Sequence, residues 1–278
     1  FSRPISKLLF ISHSLFYKDP ITNKPYTKKI ETYNSNFKKS VKLEKHNLLN
    51  NKTYKSYPPD EGFVREIAFY LHNVLKNKKN SFIHGFLLNS YLRRYVKEVY
   101  LNNEDSGTLN ILDIGTARGF SSLCLAKVLD DFKVNGRIFT FDVIPNRKSF
   151  FWNAPSDVQN GKLSRIELLN KWKNLVENYI VFFSTATFNS LRVVDIPRIN
   201  FAFIDGSHNF EDVIYEIEYI LQRLSKKSIL IFDDYDADLF PGVVKACNYL
   251  SSLKLHTSFE LIKVQNDRQI AIFTFGDF

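Results

Sequence analysis

From residue 109 onward the apolar residues of the chain fall into two alternating rhythms. Short β-rich apolar runs at Asn110–Ile114, Arg137–Val143, Tyr179–Ser184, Asn200–Asp205 and Ser228–Asp233 alternate with helical spacing at 119–130, 163–177, 210–224 and 241–252. Runs of that length are apolar on both sides of the strand, as a parallel sheet requires when helices cover both of its faces. The last two runs, Thr257–Val264 and Gln269–Phe275, have only Gln265–Arg268 between them. No crossover helix fits there, so they are predicted to form an antiparallel hairpin at a sheet edge. The expected fold is α/β: a doubly wound, mostly parallel seven-stranded sheet with an antiparallel C-terminal hairpin.

The first hundred residues follow a different pattern. Phe1 to Tyr57 is polar, rich in Lys, Asn and Tyr, and reads as an irregular arm with one short strand or helix near Ser6 to Phe16. After Pro58-Pro59-Asp60, the residues Phe63, Val64, Ile67, Leu71, Val74 and Leu75 recur at helical spacing and predict a helix over Glu61 to Lys76. A second helix is predicted from Gly85 to Leu101, with Leu88, Tyr91, Leu92, Tyr95 and Val99 as its packing face. The polar loop Asn102 to Gly107 then sets a boundary near residue 108. Residues 1–108 are thus expected to be a basic, mainly helical extension that shapes an acceptor pocket or a subunit contact, and residues 109–278 the sheet domain.

Composition narrows the class. A chain of 278 residues with 44% hydrophobic content can bury a sizeable core. No stretch approaches the roughly 18 consecutive apolar residues of a membrane helix, and Leu8 to Ile11 is too brief for a secretory signal, so the cytoplasm is the expected compartment. Cys124 and Cys247 are the only cysteines, and no disulfide is expected. The net charge of +9 is uneven: residues 1–108 hold 19 Lys+Arg against 9 Asp+Glu. Such an excess is ordinarily a solvated surface; if nucleic acid binds, the N-terminal part binds it.

The chemistry concentrates where strands end. Leu112 to Phe120 reads LDIGTARGF, an acid closing an apolar run and then Gly115 and Gly119 before a helix. Glycines there permit a tight turn and bring backbone amides close to a ligand at the positive end of a helix dipole. The G-x-G-x-x-G spacing of dinucleotide sites is absent, because Ala117 stands at the middle position. Four of the five parallel runs end in acid: Asp113, Asp142, Asp205, and the pair Asp233-Asp234. Ligands of open α/β sheets bind at these strand ends, and gathered carboxylates repel one another unless cations or hydroxyl donors lie between them. Asp142 stands where an acid can accept from ribose hydroxyls, which implies a nucleoside-containing cofactor.

These features resemble the class I S-adenosylmethionine-dependent methyltransferases. The resemblance implies that Gly115 and Gly119 pack against the methionine part of the cofactor and Asp142 holds its ribose, with Asp113 and Thr116 in the same binding set. The segment FAFIDGSHNFEDVIYEIEYILQRLSKKSILIFDD at 201–234 is similar to the metal-dependent sugar O-methyltransferases of the macrocin and mycinamicin type. FDVIPNRKSFFWN at 141–153 and FPGVVKACNYL at 240–250 resemble stretches of bacterial relatives. By that resemblance Asp205, Asp233 and Asp234 bind Mg²⁺, Asp205 shares the catalytic role, and His208 is the general base. The implied reaction is Mg²⁺-dependent methyl transfer from S-adenosylmethionine to a hydroxyl of a small molecule or saccharide. Three carboxylates suit a hard cation, and a hydroxyl bound to it gives up its proton more readily. His208 could receive that proton, its ordinary pKa lying near neutrality. Ser184-Thr185-Ala186 departs from the Gly-Asp or Gly-Ser pair of many relatives, so adenine contacts are not assigned. The rival readings are an RNA methyltransferase docking through the basic N-terminal part, a non-catalytic binding module on the same fold, and an iron oxygenase using His208 with carboxylates.

Overall fold

The computed structural model describes residues 29–48, 50–74, 81–102, 107–265 and 268–277. The element predicted near Ser6 to Phe16 lies outside them. Seven strands, β1 (Leu109–Ile114), β2 (Gly136–Asp142), β3 (Ile180–Ser184), β4 (Ile199–Ile204), β5 (Leu224–Tyr235), β6 (Ser258–Gln265) and β7 (Arg268–Phe275), form one sheet in the order β3-β2-β1-β4-β5-β7-β6. β1 to β5 pair in parallel, and β7 pairs antiparallel with both β5 and β6. The order reverses direction between β1 and β4, so the crevice above their carboxyl ends is the place such a sheet offers a ligand.

Strand residues alternate between two cores, as the period of two demands. Leu109, Ile111, Phe201, Phe203, Ile229, Ile231, Ile270 and Ile272 face one side, under the helices Glu61–Ile67, Ile83–Tyr95 and Phe120–Asp131. Leu112, Ile114, Ala202, Ile204, Leu230, Phe232, Ala271 and Phe273 face the other, under the helices Phe210–Leu221 and Pro241–Ser252.

The N-terminal extension belongs to the first of these cores. Leu88, Tyr91 and Leu92 of the helix Ile83–Tyr95 are fully buried in the same cluster as Leu123, Phe203 and Ile272. The approach to the helix Phe120–Asp131 is close enough that a Cβ at Gly85 would lie 2.4 Å from the Phe120 ring and 3.0 Å from Cys124 Sγ. Asn89 Nδ2 donates to the Cys124 carbonyl across this contact at 2.9 Å. The boundary near residue 108 therefore divides the sequence without dividing the core. Both cysteines are buried free thiols.

Three sequence expectations need correction. The arm is not irregular throughout: residues Ile30–Leu48 and Lys52–Ser56 are helices. Tyr33 and Phe37 face inward from the longer one, Tyr33 donating its hydroxyl to Asn153 Oδ1 and Phe37 stacking on Phe82 at 5.3 Å. The predicted helices over 61–76 and 85–101 each pass into a π turn, Ala68–His72 and Val96–Tyr100, so their hydrogen-bond ladders are interrupted where simple periodicity continues. The segment 163–177 is three short pieces, Arg165–Leu168, Asn170–Trp172 and Lys173–Tyr179, because Ser164 and Glu167 close a capping box that starts the first as a separate turn. Among the described residues no helix is long and apolar enough to cross a membrane.

Candidate active site

The glycine loop is built as much by packing as by ligand access. Gly115 has φ +97°, and a Cβ there would lie 2.0 Å from the carbonyl oxygen of Asp205, so the loop after β1 rests directly on the end of β4. Gly119, at φ +88°, caps the helix Phe120–Asp131. The Gly115 amide donates to the Phe141 carbonyl at 2.9 Å, which ties the loop to β2 as well. Asp113 and Thr116, expected to touch the cofactor, are turned into the protein. Asp113 is fully buried; Ser121 Oγ donates to both its oxygens at 3.0 Å, Ser122 Oγ donates to Oδ2, and Thr140 Oγ1 donates at 3.2 Å. Burial pushes its carboxyl up to about 6 against those three donors. Thr116 Oγ1 shares a hydrogen bond of 2.5 Å with Thr140. Both residues shape the loop from beneath.

Asp142 ends β2 beside that loop, as expected. Its Oδ2 accepts from the Ala117 amide at 2.5 Å and its Oδ1 from the Ile144 amide at 2.8 Å. Arg165 Nη2 lies 3.2 Å from Oδ2, while Nε of the same residue donates to the Ala117 carbonyl at 2.8 Å. Sequence reasoning missed Arg165. The signal present was the S-x-x-E of Ser164 to Glu167, which marks a helix start and hence a side chain with a defined direction.

At the ends of β4 and β5 the structure brings together Asp205, His208 and Asp234, each offering a ligand atom within 4.8 Å of the others. Asp205 continues β4, its amide donating to the Ile114 carbonyl at 2.9 Å. Asp234 reaches the group because its backbone turns: φ is +55°, and the β5–β7 register shifts between Phe232 and Tyr235. A left-handed aspartate is an uncommon conformation that such a site can make use of. His208 Nε2 stands 2.9 Å from Asp234 Oδ2, and its ring stacks on Phe240 with centroids 4.2 Å apart.

Asp233 does not join this group, contrary to the expected set. Adjacent residues of a strand point to opposite sides, and its carboxylate, 2% exposed, faces Arg268 Nη2 at 2.5 Å and His84 Nδ1 at 3.9 Å. The Asp234 amide donates to its other oxygen at 2.8 Å. Arg268 Nε also lies 2.5 Å from Asp234 Oδ1, so one guanidinium spans both acids. Neither Arg268 nor His84 carried a local motif that singled it out; they arrive from β7 and from the N-terminal extension.

The electrostatics follow from burial and neighbours. Burial, and then the nearby Asp233 and Asp234, drive the Asp205 carboxyl well above the usual range. Burial works the same way on Asp233, but Arg268 and the Asp234 amide outweigh it and hold that carboxyl below its ordinary value. Burial lowers His84 to about 4, so near neutrality it meets Asp233 as a neutral imidazole. Two carboxylates and an imidazole at one point, one of them raised by burial and mutual repulsion, are a donor set that suits a divalent cation.

Beside the trio opens a shallow cavity of about 310 Å³ lined by His208, Asn209, Phe210, Glu211, Leu239, Phe240, Pro241 and Gly242. Phe210, Leu239, Phe240 and Pro241 give it an apolar wall, and the described residues that line it include no Lys or Arg.

The sequence profile of the family described as "Methyltransferase domain" matches residues 112–235, from within β1 to the end of β5. Among solved structures, the O-methyltransferase NovP aligns at a TM-score of 0.53 and 17% identity over 88% of this chain and all of its own. The O-methyltransferase TomG from Streptomyces achromogenes, involved in tomaymycin synthesis, aligns at 0.53 and 15% over 86% of this chain and 99% of its own. CalS11, a TDP-rhamnose 3'-O-methyltransferase of calicheamicin biosynthesis, aligns at 0.52 and 18% over 88% and 94%. No curated protein matches the sequence. Residues 112–235 thus match a methyltransferase-domain profile, and the chain shares the seven-stranded fold of these O-methyltransferases.

Proposed function

We propose that the chain moves a methyl group from S-adenosylmethionine to a hydroxyl of a small molecule or saccharide, with Mg²⁺ held by Asp205 and Asp234. The observation that carries the reading is the convergence of Asp205, His208 and Asp234 on one point, next to the glycine loop that Asp205 itself supports through its carbonyl. Methyl transfer to oxygen needs an acceptor hydroxyl aligned with the donor and a place for its proton, and this arrangement supplies both within one crevice. When bound, the cofactor offers an electrophilic methyl on sulfur, and the cation loosens the acceptor's hold on its proton.

The rest falls to the chain's own residues. Asp142 is positioned to accept from the cofactor's ribose, its carboxylate fixed by the Ala117 and Ile144 amides and by Arg165. Asp205 and Asp234 supply hard oxygen ligands. Mg²⁺ would take oxygen in preference to imidazole, which leaves His208 as the base: its Nε2–H donates to Asp234 Oδ2 at 2.9 Å, and the acceptor's proton would go to Nδ1. Phe240 keeps the imidazole plane fixed by stacking on it. The apolar wall of the cavity beside His208 gives an acceptor ring a surface to lie on; the TDP-rhamnose methyltransferase among the structural neighbours makes a sugar hydroxyl a reasonable first substrate to assay.

Isothermal titration with S-adenosylhomocysteine should give saturable binding, and Asp205→Asn should abolish metal-stimulated turnover while leaving that binding within about twofold of wild type. No detectable cofactor binding, or turnover unchanged in Asp205→Asn, would overturn the proposal.

A further inference from the structure

Arg268 is an unusual neighbour for a cation site, and the role assigned to it here rests on the cation reading proposed above. It is the first residue of β7, it reaches Asp233 with Nη2 and Asp234 with Nε, each at 2.5 Å, and its side chain is only 29% exposed. The His84 imidazole stands on the other side of Asp233, its Nδ1 3.9 Å from the carboxylate, with the His72 ring 4.9 Å beyond it. Among the described residues, the three carboxylates of Asp205, Asp233 and Asp234 gather around the guanidinium of Arg268 in this part of the crevice.

We infer that Arg268 is a resident cation that sets the charge of the metal site, cancelling Asp233 and leaving a net charge of two negatives for a divalent ion to neutralise. Without it the three acids would present three negative charges, bind a divalent cation more tightly, and leave an uncompensated carboxylate in a buried place. The same guanidinium holds Asp233, which lies outside the ligand group. Its oxygens are committed to the guanidinium and to the Asp234 amide. Arg268 acts as a positioning residue: it works through the two acids that it contacts.

The experiment is Mn²⁺ titration of the full chain, followed by calorimetry and by the loss of the free-ion paramagnetic resonance signal, in the presence of S-adenosylhomocysteine. Arg268→Gln should bind Mn²⁺ about tenfold tighter than wild type, a change of about 1.4 kcal/mol. Arg268→Lys, which keeps the charge, should return to within about twofold of wild type. The double variant Arg268→Gln with Asp233→Asn removes one charge of each sign and should also return to wild-type affinity, which a merely structural role for Arg268 would not produce. Unchanged or weaker binding in Arg268→Gln, or a double variant no different from the single one, would overturn the inference. If Arg268→Gln fails to fold, Asp233→Asn decides beside the double variant: about tenfold weaker Mn²⁺ binding in Asp233→Asn with wild-type affinity in the double variant supports the inference, and equal affinity in the two overturns it. The proposed metal site itself is read separately from Asp205→Asn. Loss of Mn²⁺ binding there with no effect of Arg268→Gln sinks only the role of Arg268, whereas wild-type Mn²⁺ binding in Asp205→Asn, or none in any form of the protein, sinks both.

Discussion

At the scale of single residues, burial is costly for ionisable side chains that lack full hydrogen bonding. Glu216 is one such group: 1% exposed on the helix Phe210–Leu221, it receives a hydrogen bond of 2.6 Å from Thr187 Oγ1 on one oxygen and has no hydrogen-bond partner on the other. Burial pushes its carboxyl from the ordinary 4.5 up to about 8. Between those values the folded chain keeps a proton that the unfolded chain releases, so its contribution to stability is present at low pH and is lost as pH rises through that window. Glu216→Gln should therefore raise the urea midpoint at pH 8, by a stabilisation of about 1–3 kcal/mol, and leave it nearly unchanged at pH 4.5; equal midpoints for both proteins at pH 8 would count against it. Gly115→Ala should have the opposite effect, since its Cβ would collide with the Asp205 carbonyl at a left-handed φ. A loss of about 3 kcal/mol or more and a weakened grip on S-adenosylhomocysteine are expected from urea denaturation and calorimetry. The candidate residues Gly115, Asp142, Asp205 and Asp234 were legible in the sequence because each sits at or just past a strand end, where open α/β sheets bind ligands, whereas His208 was singled out by the family resemblance. The diversion of Asp233 was not legible, because it depends on Arg268, which lies 35 residues further along the chain.

At the scale of elements, the clearest features were those with an uninterrupted period. All seven strands stood out because their apolar runs are long and closely bounded by polar loops. The helix Ile30–Leu48 did not, since Tyr33, Phe37 and Val41 fall at four-residue intervals but Lys, Asn and Ser dilute the stripe. What holds that helix is tertiary: Tyr33 is fully buried, accepts from Asn73 Nδ2 through its carbonyl at 2.9 Å and donates to Asn153. Tyr33→Ala should cost about 3–4 kcal/mol by cavity formation and loss of its hydroxyl's bond. Urea titration followed by far-ultraviolet circular dichroism measures it, and a cost below about 1 kcal/mol would show that the helix is only loosely attached. Tertiary contacts also decide the broken segment after β2, where capping by Ser164 and the short turns beyond it direct Arg165 onto Asp142.

At the scale of the whole molecule, the basic extension and the sheet share one apolar cluster, so the extension is structural before it is anything else. Removing residues before 102 would expose the faces of Leu123, Phe203 and Ile272 that Leu88, Tyr91 and Leu92 now cover. The truncated sheet should lose cooperative unfolding and its near-ultraviolet circular dichroism; a truncated chain that melts cooperatively at the full-length temperature would contradict a shared core. The extension also brings His84 to Asp233, which places an N-terminal side chain at the edge of the crevice that the sheet alone would leave open. Whether that crevice is a cation site is most directly settled by a crystal of the full chain grown with S-adenosylhomocysteine and Mn²⁺ and recorded at the manganese edge. We expect one anomalous peak at roughly 2.0–2.6 Å from oxygens of both Asp205 and Asp234, with Asp233 still paired to Arg268; a cofactor-bound crystal whose anomalous map is empty between Asp205 and Asp234 would contradict it.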